Sequence, residues 1–351
     1  MKHIIGGKPA LPVAEVKTLR VDEDDSGQRL DNYLVRHLKG VPKTHIYRII
    51  RSGEVRVNKG RVAVDRRVEA GDLVRIPPVR SSLRALVKAQ VMADTAAAGL
   101  AEDVDLADHE RTAPPREFPV LVEDESFLAV DKPAGVAVHG GSGVSFGVIE
   151  QLRMVRPQAR FLELVHRLDR ETSGILLVAK KRSALKNMQN QFRERETGKT
   201  YLALVAGQWP ARLKVLDGAL HKYLLPDGER RVKVVAKDHP DAMQSLTLVK
   251  VARPLGAFTL LEVTIKTGRT HQIRVHLAAA GMPIAGDEKY GDFQLNKSMQ
   301  RAGAVPALRR MFLHAWRLQF THPVTGKRVE LLSNLPSDLQ QFIDHVAQDR
   351  S

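Results

Sequence analysis

The chain has no cysteine among its 351 residues. That excludes disulfides, thiolate chemistry and cysteine-based zinc sites, and it fits a reducing cytoplasm. No apolar run approaches the roughly 18 residues that a membrane-spanning helix needs, so none is expected. Aromatic residues make up only 5%, and none of them anchor a strongly amphipathic basic helix of the kind that lies on membranes. Met1 to Lys17 lacks the apolar stretch of a secretory signal and reads as a loose N-terminal tail. No Walker loop is present, and Gly140-Gly141-Ser142-Gly143 lacks the strand–helix frame of a dinucleotide fingerprint. His271 and His276 are five apart rather than four, with no nearby carboxylate to complete a triad. No metal and no cofactor are therefore expected.

Negative charge is also in short supply. Fifty-five Lys and Arg against 40 Asp and Glu leave a net charge of +15 and a sequence pI near 10.0. Such an excess points to a phosphate-bearing partner, and without a membrane-surface helix nucleic acid is favoured over a basic protein with no polyanion partner.

The length suits two domains, and the basic excess is concentrated in the first. Nine cations between Lys39 and Arg67 meet only Glu54 and Asp65. Gln28-Arg29-Leu30-Asp31 opens a helix with Leu30, Leu34 and Leu38 at helical spacing, and Pro42 ends it. Lys43 starts a second helix with Ile46, Ile49 and Ile50 inward, stopped by Gly53. Strands at 54–58 and 71–76 follow, separated by an Asn58-Lys59-Gly60 turn. Residues 81–117 read as a linker, acidic and alanine-rich over 94–110 and followed by Pro114-Pro115. From Phe118 onward short strands dominate, interrupted by helices at 182–195, 271–280 and 337–347, with a hairpin at 245–265. The pattern predicts an α+β fold on a mixed, largely antiparallel sheet with flanking helices.

Three segments of this second part carry the chemistry. His166-Arg167-Leu168-Asp169-Arg170-Glu171-Thr172-Ser173-Gly174 sets a carboxylate between two arginines on a polar turn that runs into a buried strand. The flanking arginines favour the charged form of Asp169, which as it stands can be a nucleophile, a base or a plain salt bridge. Lys199-Thr200-Tyr201 enters a strand after the 182–195 helix. Lys266-Thr267-Gly268-Arg269-Thr270-His271-Gln272-Ile273-Arg274 leads into a helix for which Thr270 is the expected N-cap. His271 and Arg274, three apart, share a face of it, and Arg274 can reach a loop at the end of a neighbouring strand.

The helix–helix–strand unit over about 18–80, with R-L-D, I-x-R-S-G-x-V-x-V-N and G-D-x-V, resembles the S4 RNA-binding domain. That resemblance implies RNA contacts by Lys43, Arg48, Arg51, Asn58 and Lys59. H-R-L-D-x-x-T-S-G, K-x-Y and G-R-T-H-Q-I-R-V-H, with Asp131-Lys132-Pro133-Ala134-Gly135 and Gly286-Asp287-x-x-Tyr290-Gly291, resemble the motifs of the RluA-type pseudouridine synthases over about 118–335, which implies a catalytic domain over 118–351. The resemblance implies a cofactor-free isomerase that converts specific uridines of large-subunit ribosomal RNA, the substrate of members that carry an S4 domain. It implies Asp169 as the catalytic aspartate, by attack at C1′ or by another route to glycosidic cleavage, with Arg274 holding that carboxylate. Tyr201 would stack on the base and is a candidate for proton transfer at the sugar. Arg167 would enter the helix as the base flips out, with His166, Thr172, Arg269 and His271 around the substrate. A cytoplasmic monomer is expected. Two rival readings are a non-catalytic ribosome-assembly factor and a glycosidase acting on sugars.

Overall fold

A computed structural model describes residues 15–22, 25–38, 41, 43–79, 114–140, 146–301 and 307–348. The expected tail up to residue 14, the expected linker over 80–113, the glycine-rich stretch from residue 141 and the side chain of Lys43 lie outside what is described. The chain divides into two compact units, with the boundary between residues 109 and 110.

The first unit holds helices α1 (Leu30–His37) and α2 (Lys43–Arg51) and strands β1 (Lys17–Arg20), β2 (Arg56–Val57), β3 (Gly60–Arg61) and β4 (Leu73–Ile76). The strands form one antiparallel sheet in the order β1-β4-β2-β3. Helical spacing puts Leu30 and Leu34 of α1 and Ile46, Ile49 and Ile50 of α2 into one core with Val55, Val57 and Val74. Gly53, at φ +75°, closes α2 in the left-handed conformation that its sequence position suggests.

The second unit is built on a ten-stranded sheet. Its strands are β5 (Val120–Glu123), β6 (Phe127–Lys132), β7 (Glu163–Leu164), β8 (Ser173–Ala179), β9 (Gly198–Ala206), β10 (Val215–Leu216), β13 (Thr247–Leu255), β14 (Phe258–Ile265), β15 (Leu313–Thr321) and β16 (Arg328–Leu332). The main order is β10-β13-β14-β9-β15-β8-β6-β5, with β16 beside β15 and β7 beside β8. Only β15 and β8 run parallel, so the sheet is mixed and largely antiparallel, as the strand pattern predicts. A separate hairpin joins β11 (Ala219–Leu224) and β12 (Arg230–Val235). Helices α3 (Val148–Val155), α4 (Arg182–Glu194), α5 (Gln272–Ala279), α6 (Phe293–Gln300) and α7 (Ser337–Gln348) flank the strands. The β11–β12 hairpin, α3 and α6 are additions to the elements expected from periodicity.

The centre of this sheet supports the polar segments. All seven residues of β8 are buried. Gly174 stands at φ +108°, and a Cβ there would lie 2.3 Å from the carbonyl oxygen of Ala315. The parallel β8–β15 pair therefore closes tightly at the foot of the Asp169 turn because residue 174 has no side chain.

Candidate active site

The three polar segments meet in one cleft of about 480 Å³, lined by Arg167, Asp169, Lys199, Tyr201, His271 and Arg274 among others. A second hollow of about 600 Å³ shares Arg167, Asp169, His271 and Arg274 with the first. Asp169 thus stands where two clefts join.

The turn that carries Asp169 is held from below by its own backbone and by a buried lysine. The Thr172 amide donates to the Asp169 carbonyl at 3.1 Å, and the Thr172 side chain is buried. Lys132, fully buried, donates Nζ to the carbonyls of Pro133 and Val136 at 2.8 Å each and to that of Arg170 at 3.0 Å. Burial pushes this lysine down to about 7, with Arg310 adding to the effect and the carboxylates of Glu171 and Asp169 opposing it. The second flanking arginine, Arg170, donates Nε to the Gly135 carbonyl at 2.9 Å and leans on Glu171 at 3.4 Å. Its job is to tie two loops together. Arg167 is exposed and lines both clefts. Neither flanking arginine pairs with Asp169 among the described residues; its partners come from further along the chain, Arg274 among them as the motif resemblance implies.

Those partners come from α5. Arg274 Nη1 lies 3.4 Å from Asp169 Oδ2, and His271 Nε2 lies 3.9 Å from the same oxygen. Arg274 is more firmly engaged elsewhere. Its Nε and Nη2 both donate to Asp287 at 2.7 Å, a bidentate pair in which Asp287 is 1% exposed. Asp287 also accepts the amides of Lys289 and Tyr290 at 2.8 and 3.1 Å. Burial works to raise this carboxyl, but the Arg274 hydrogen bonds and charge, helped by those amides, leave it below its ordinary value. The Tyr290 ring lies beneath the guanidinium, 5.2 Å from its carbon. Arg274 is therefore a fixed cation with one N–H face turned to Asp169.

His271, not the expected Thr270, occupies the N-cap of α5, and it does so in the left-handed conformation at φ +52°. Left-handed backbone costs energy for a non-glycine residue, and here it aims the imidazole into the cleft. Nδ1 lies 2.8 Å from the Tyr290 hydroxyl, which also accepts the Val232 amide at 3.1 Å. Burial pushes His271 down to about 4, against the pull of Asp169, so the ring is neutral at ordinary pH. The Tyr290 hydroxyl can donate to Nδ1, and in that tautomer Nε2 carries the ring proton and faces Asp169.

Tyr201 lies in mid-sheet on β9, opposite Val263 of β14. Burial and the Asp169 charge raise its phenol well above the usual range, so it stays protonated. His166 stacks on Phe192 at 4.8 Å, and its Nε2 accepts the Leu177 amide at 3.1 Å. Burial, with Lys199 nearby, pushes this histidine down to about 4, and its acceptor nitrogen is spent on the sheet. Arg269 is exposed at the cleft rim and donates Nε to the Gln244 carbonyl at 3.1 Å.

In the first unit, Arg48, Arg51 and Lys59 are exposed. Arg48 reaches Glu54 at 3.4 Å. Asn58 uses its amide within the fold: Nδ2 donates to Asp72 at 2.6 Å and Oδ1 accepts the Leu73 amide at 2.9 Å. With Asn58 and Lys59 at φ +50° and +67°, this residue builds the turn that displays Lys59.

Comparison with known proteins agrees with this geometry. Residues 126–279 match the family described as RNA pseudouridylate synthase, and residues 28–74 match the S4 domain. The chain is 46% identical over 336 residues to ribosomal large subunit pseudouridine synthase C of Pasteurella multocida, covering 96% of this chain and 95% of that one. It is 46% identical over 335 residues to the protein of that name from Escherichia coli strain K12, covering 95% and 98%. The solved structure of human RNA pseudouridylate synthase domain containing 4 superposes with a TM-score of 0.53 at 26% identity, covering 65% of this chain and 92% of that one. With near-half identity along almost the whole length, and the family's motifs gathered in one cleft, the chain belongs to the RNA pseudouridine synthases and carries an S4 domain ahead of the catalytic fold.

Proposed function

We propose that this enzyme isomerises specific uridines of large-subunit ribosomal RNA to pseudouridine, with Asp169 as the catalytic residue. The observation that carries the reading is a lone carboxylate in a cationic cleft, faced by a guanidinium that is itself anchored by Asp287. The names of the relatives, which act on the large ribosomal subunit, supply the substrate class.

The reaction breaks the bond from N1 of uracil to C1′, turns the base, joins C5 to C1′ and releases the C5 proton, while N1 takes up a proton. In this reading Asp169 opens the glycosidic bond, either by attack at C1′ or as a base at the sugar. The fixed positive charge of Arg274, with His271 Nε2 beside it, holds the carboxylate and fixes its direction. A phenol kept protonated by burial is a poor base, so Tyr201 is assigned to stacking on the flipped base and to donating a hydrogen bond. Arg167, exposed where the clefts join, is assigned to the gap that the flipped base leaves in the RNA. His166 and Thr172 support the substrate through the shape of the wall, and Arg269 and His271 contact it directly. The S4 unit holds structured RNA through Lys43, Arg48, Arg51 and Lys59, and Asn58 displays Lys59. The enzyme is taken to work as a monomer in the cytoplasm, on ribosomal RNA or pre-ribosomal particles and without a metal. No helix among the described residues is long and apolar enough to cross a membrane.

Tritium release from RNA labelled at uridine C5 is the test. Wild type is expected to release tritium and Asp169→Asn to release none while still binding RNA. Equal release by both proteins would remove Asp169 from the chemistry. Free uracil in place of an isomerised nucleoside would support the glycosidase alternative.

A further inference from the structure

The cleft contains more positive charge than its own acid answers. Asp169 is the single carboxylate among the residues that line it. Some of the cations there are committed: Arg274 to Asp287, Arg193 to Glu194, and Arg269 to a backbone carbonyl. Arg195, Lys199 and Lys266 line the same cleft and make no ion pair among the described residues.

Lys199 is the most unusual of the three. It is 8% exposed, yet its ammonium, which has three donors, makes one hydrogen bond, to Thr197 Oγ1 at 3.2 Å. Its other neighbour is the face of Phe192, 5.3 Å away. Burial disfavours its charge, and the like charges of Lys266 and Arg195 add to that effect. A buried ammonium crowded by two cations and met by one neutral oxygen is costly as it stands. An anion placed among the three relieves both the desolvation and the repulsion.

Position says which anion. Lys199 and Tyr201 are i and i+2 on β9, so their side chains leave the same face of the strand about 7 Å apart. Both line the cleft. In the isomerase reading the base stacks on Tyr201 with its sugar at Asp169, which leaves Lys199, on the same strand face and in the same cleft, for the adjoining backbone.

We propose that Lys199, with Arg195 and Lys266, forms a binding site for the phosphodiester that adjoins the target uridine. The proposal rests on the uridine-isomerase reading and deepens it. It makes Lys199 a local anchor, distinct from the phosphate contacts of the S4 unit. A structural lysine that only supports Phe192 and Thr197 would bind no phosphate.

The test uses the full-length protein and a large-subunit RNA fragment that it modifies, made with one uncharged methylphosphonate linkage either 5′ or 3′ of the target uridine. Equilibrium binding is measured in an Asp169→Asn background, so that turnover does not intervene, for Lys199, Lys199→Gln and Lys199→Arg. With lysine at 199, one of the two neutral linkages is expected to weaken binding about tenfold. Lys199→Gln is expected to lose a similar factor on the all-phosphate RNA, to lose nothing further on that neutral linkage, and to lower the salt slope by about one. Lys199→Arg is expected to retain most of the affinity. The proposal is overturned if both neutral linkages weaken the lysine and glutamine proteins by equal factors, or if neither linkage weakens the lysine protein. Tritium release by the wild type is measured in parallel, so a failed isomerase reading appears there and not in the binding cycle.

Discussion

Replacing Asp287 by alanine should separate the support of the cleft from its chemistry. Asp287 is 1% exposed and accepts four hydrogen bonds, two of them from Arg274, whose own side chain is 8% exposed. Without that carboxylate a buried guanidinium faces only Asp169, 3.4 Å away and 23% exposed, and two backbone amides lose their acceptor. Removing one partner of a buried pair costs about 3–5 kcal/mol. At about 2–4 °C per kcal/mol for a unit of this size, the melting temperature should fall by about 6–20 °C. The low end applies if Arg274 swings onto Asp169. Asp169→Asn removes only a long contact to a partly exposed acid, worth about 0–1 kcal/mol, so it should shift melting by no more than about 4 °C while tritium release is lost. Calorimetry and tritium release on the same preparations of both variants make the comparison. Melting of Asp287→Ala within about 2 °C of wild type would refute the reasoning, as would an equal fall in Asp169→Asn, because Arg274 would then lean on both acids alike. Acid adds a check of sign. The Asp287 carboxyl is held below its ordinary value, so its contribution is complete above the unfolded value of about 4 and is lost as pH falls through the folded one. Asp287→Asn should therefore lose less stability than wild type between about pH 5 and pH 2.

Two further perturbations probe the walls of the site. His166→Phe keeps the stack on Phe192 but leaves the Leu177 amide without its acceptor, which should cost about 1–3 kcal/mol in urea unfolding at pH 8. Because His166 is pushed down to about 4 in the fold and titrates near 6.5 unfolded, wild type should lose stability from its account as pH falls from about 6.5 to 4. The variant should show a shallower slope there, and identical slopes would remove His166 from the linkage. Gly174→Ala would place a Cβ 2.3 Å from the Ala315 carbonyl at φ +108°, so both strain and overlap oppose it. It should cost more than about 3 kcal/mol and abolish tritium release, whereas a near-normal melt would show that the β8–β15 contact can open.

Much of the framework was legible because its signals are local. Leu30, Leu34, Ile46, Ile49 and Ile50 repeat at helical spacing and fill one core. The apolar run after Gly174 forms the buried central strand β8, and the hairpin expected at 245–265 is β13–β14. The elements not foreseen lack such signals. Strand β11 buries only Ala219 and Leu220 and β12 only Val232, with Lys222, Leu224, Arg230, Lys233 and Val234 exposed. Their stability comes from contact with α5 through Leu220, Val232 and Val275, which no local pattern records. The N-cap of α5 was misplaced for a similar reason. Thr270 has the better capping chemistry, but the site turns the backbone at His271 and accepts its strain.

At the site itself, the residue identities and the Arg274–Asp169 pairing were readable, and the supports behind them were not. The motifs pointed to Asp169, Tyr201 and Arg274, and the fold brings all three to one cleft. Side chains leave a tight turn in different directions, so the arginines that flank Asp169 in sequence are not its partners in space. Arg170 is drawn to Gly135, while the charge facing Asp169 arrives from 105 residues away. Asp287 shows the same logic at a further remove. It lies in a recognised motif without an evident role, and only the folded chain makes it the principal partner of Arg274. That division suits the chemistry. An acid that must act on a sugar has to keep its oxygen free, so the cation beside it is better anchored by another carboxylate. With Asp287 taking two short bonds and Asp169 one long one, Arg274 supplies a field at the reacting acid without capping it. If Arg274 were instead locked bidentately on Asp169, the free oxygen needed for attack or proton abstraction would be occupied.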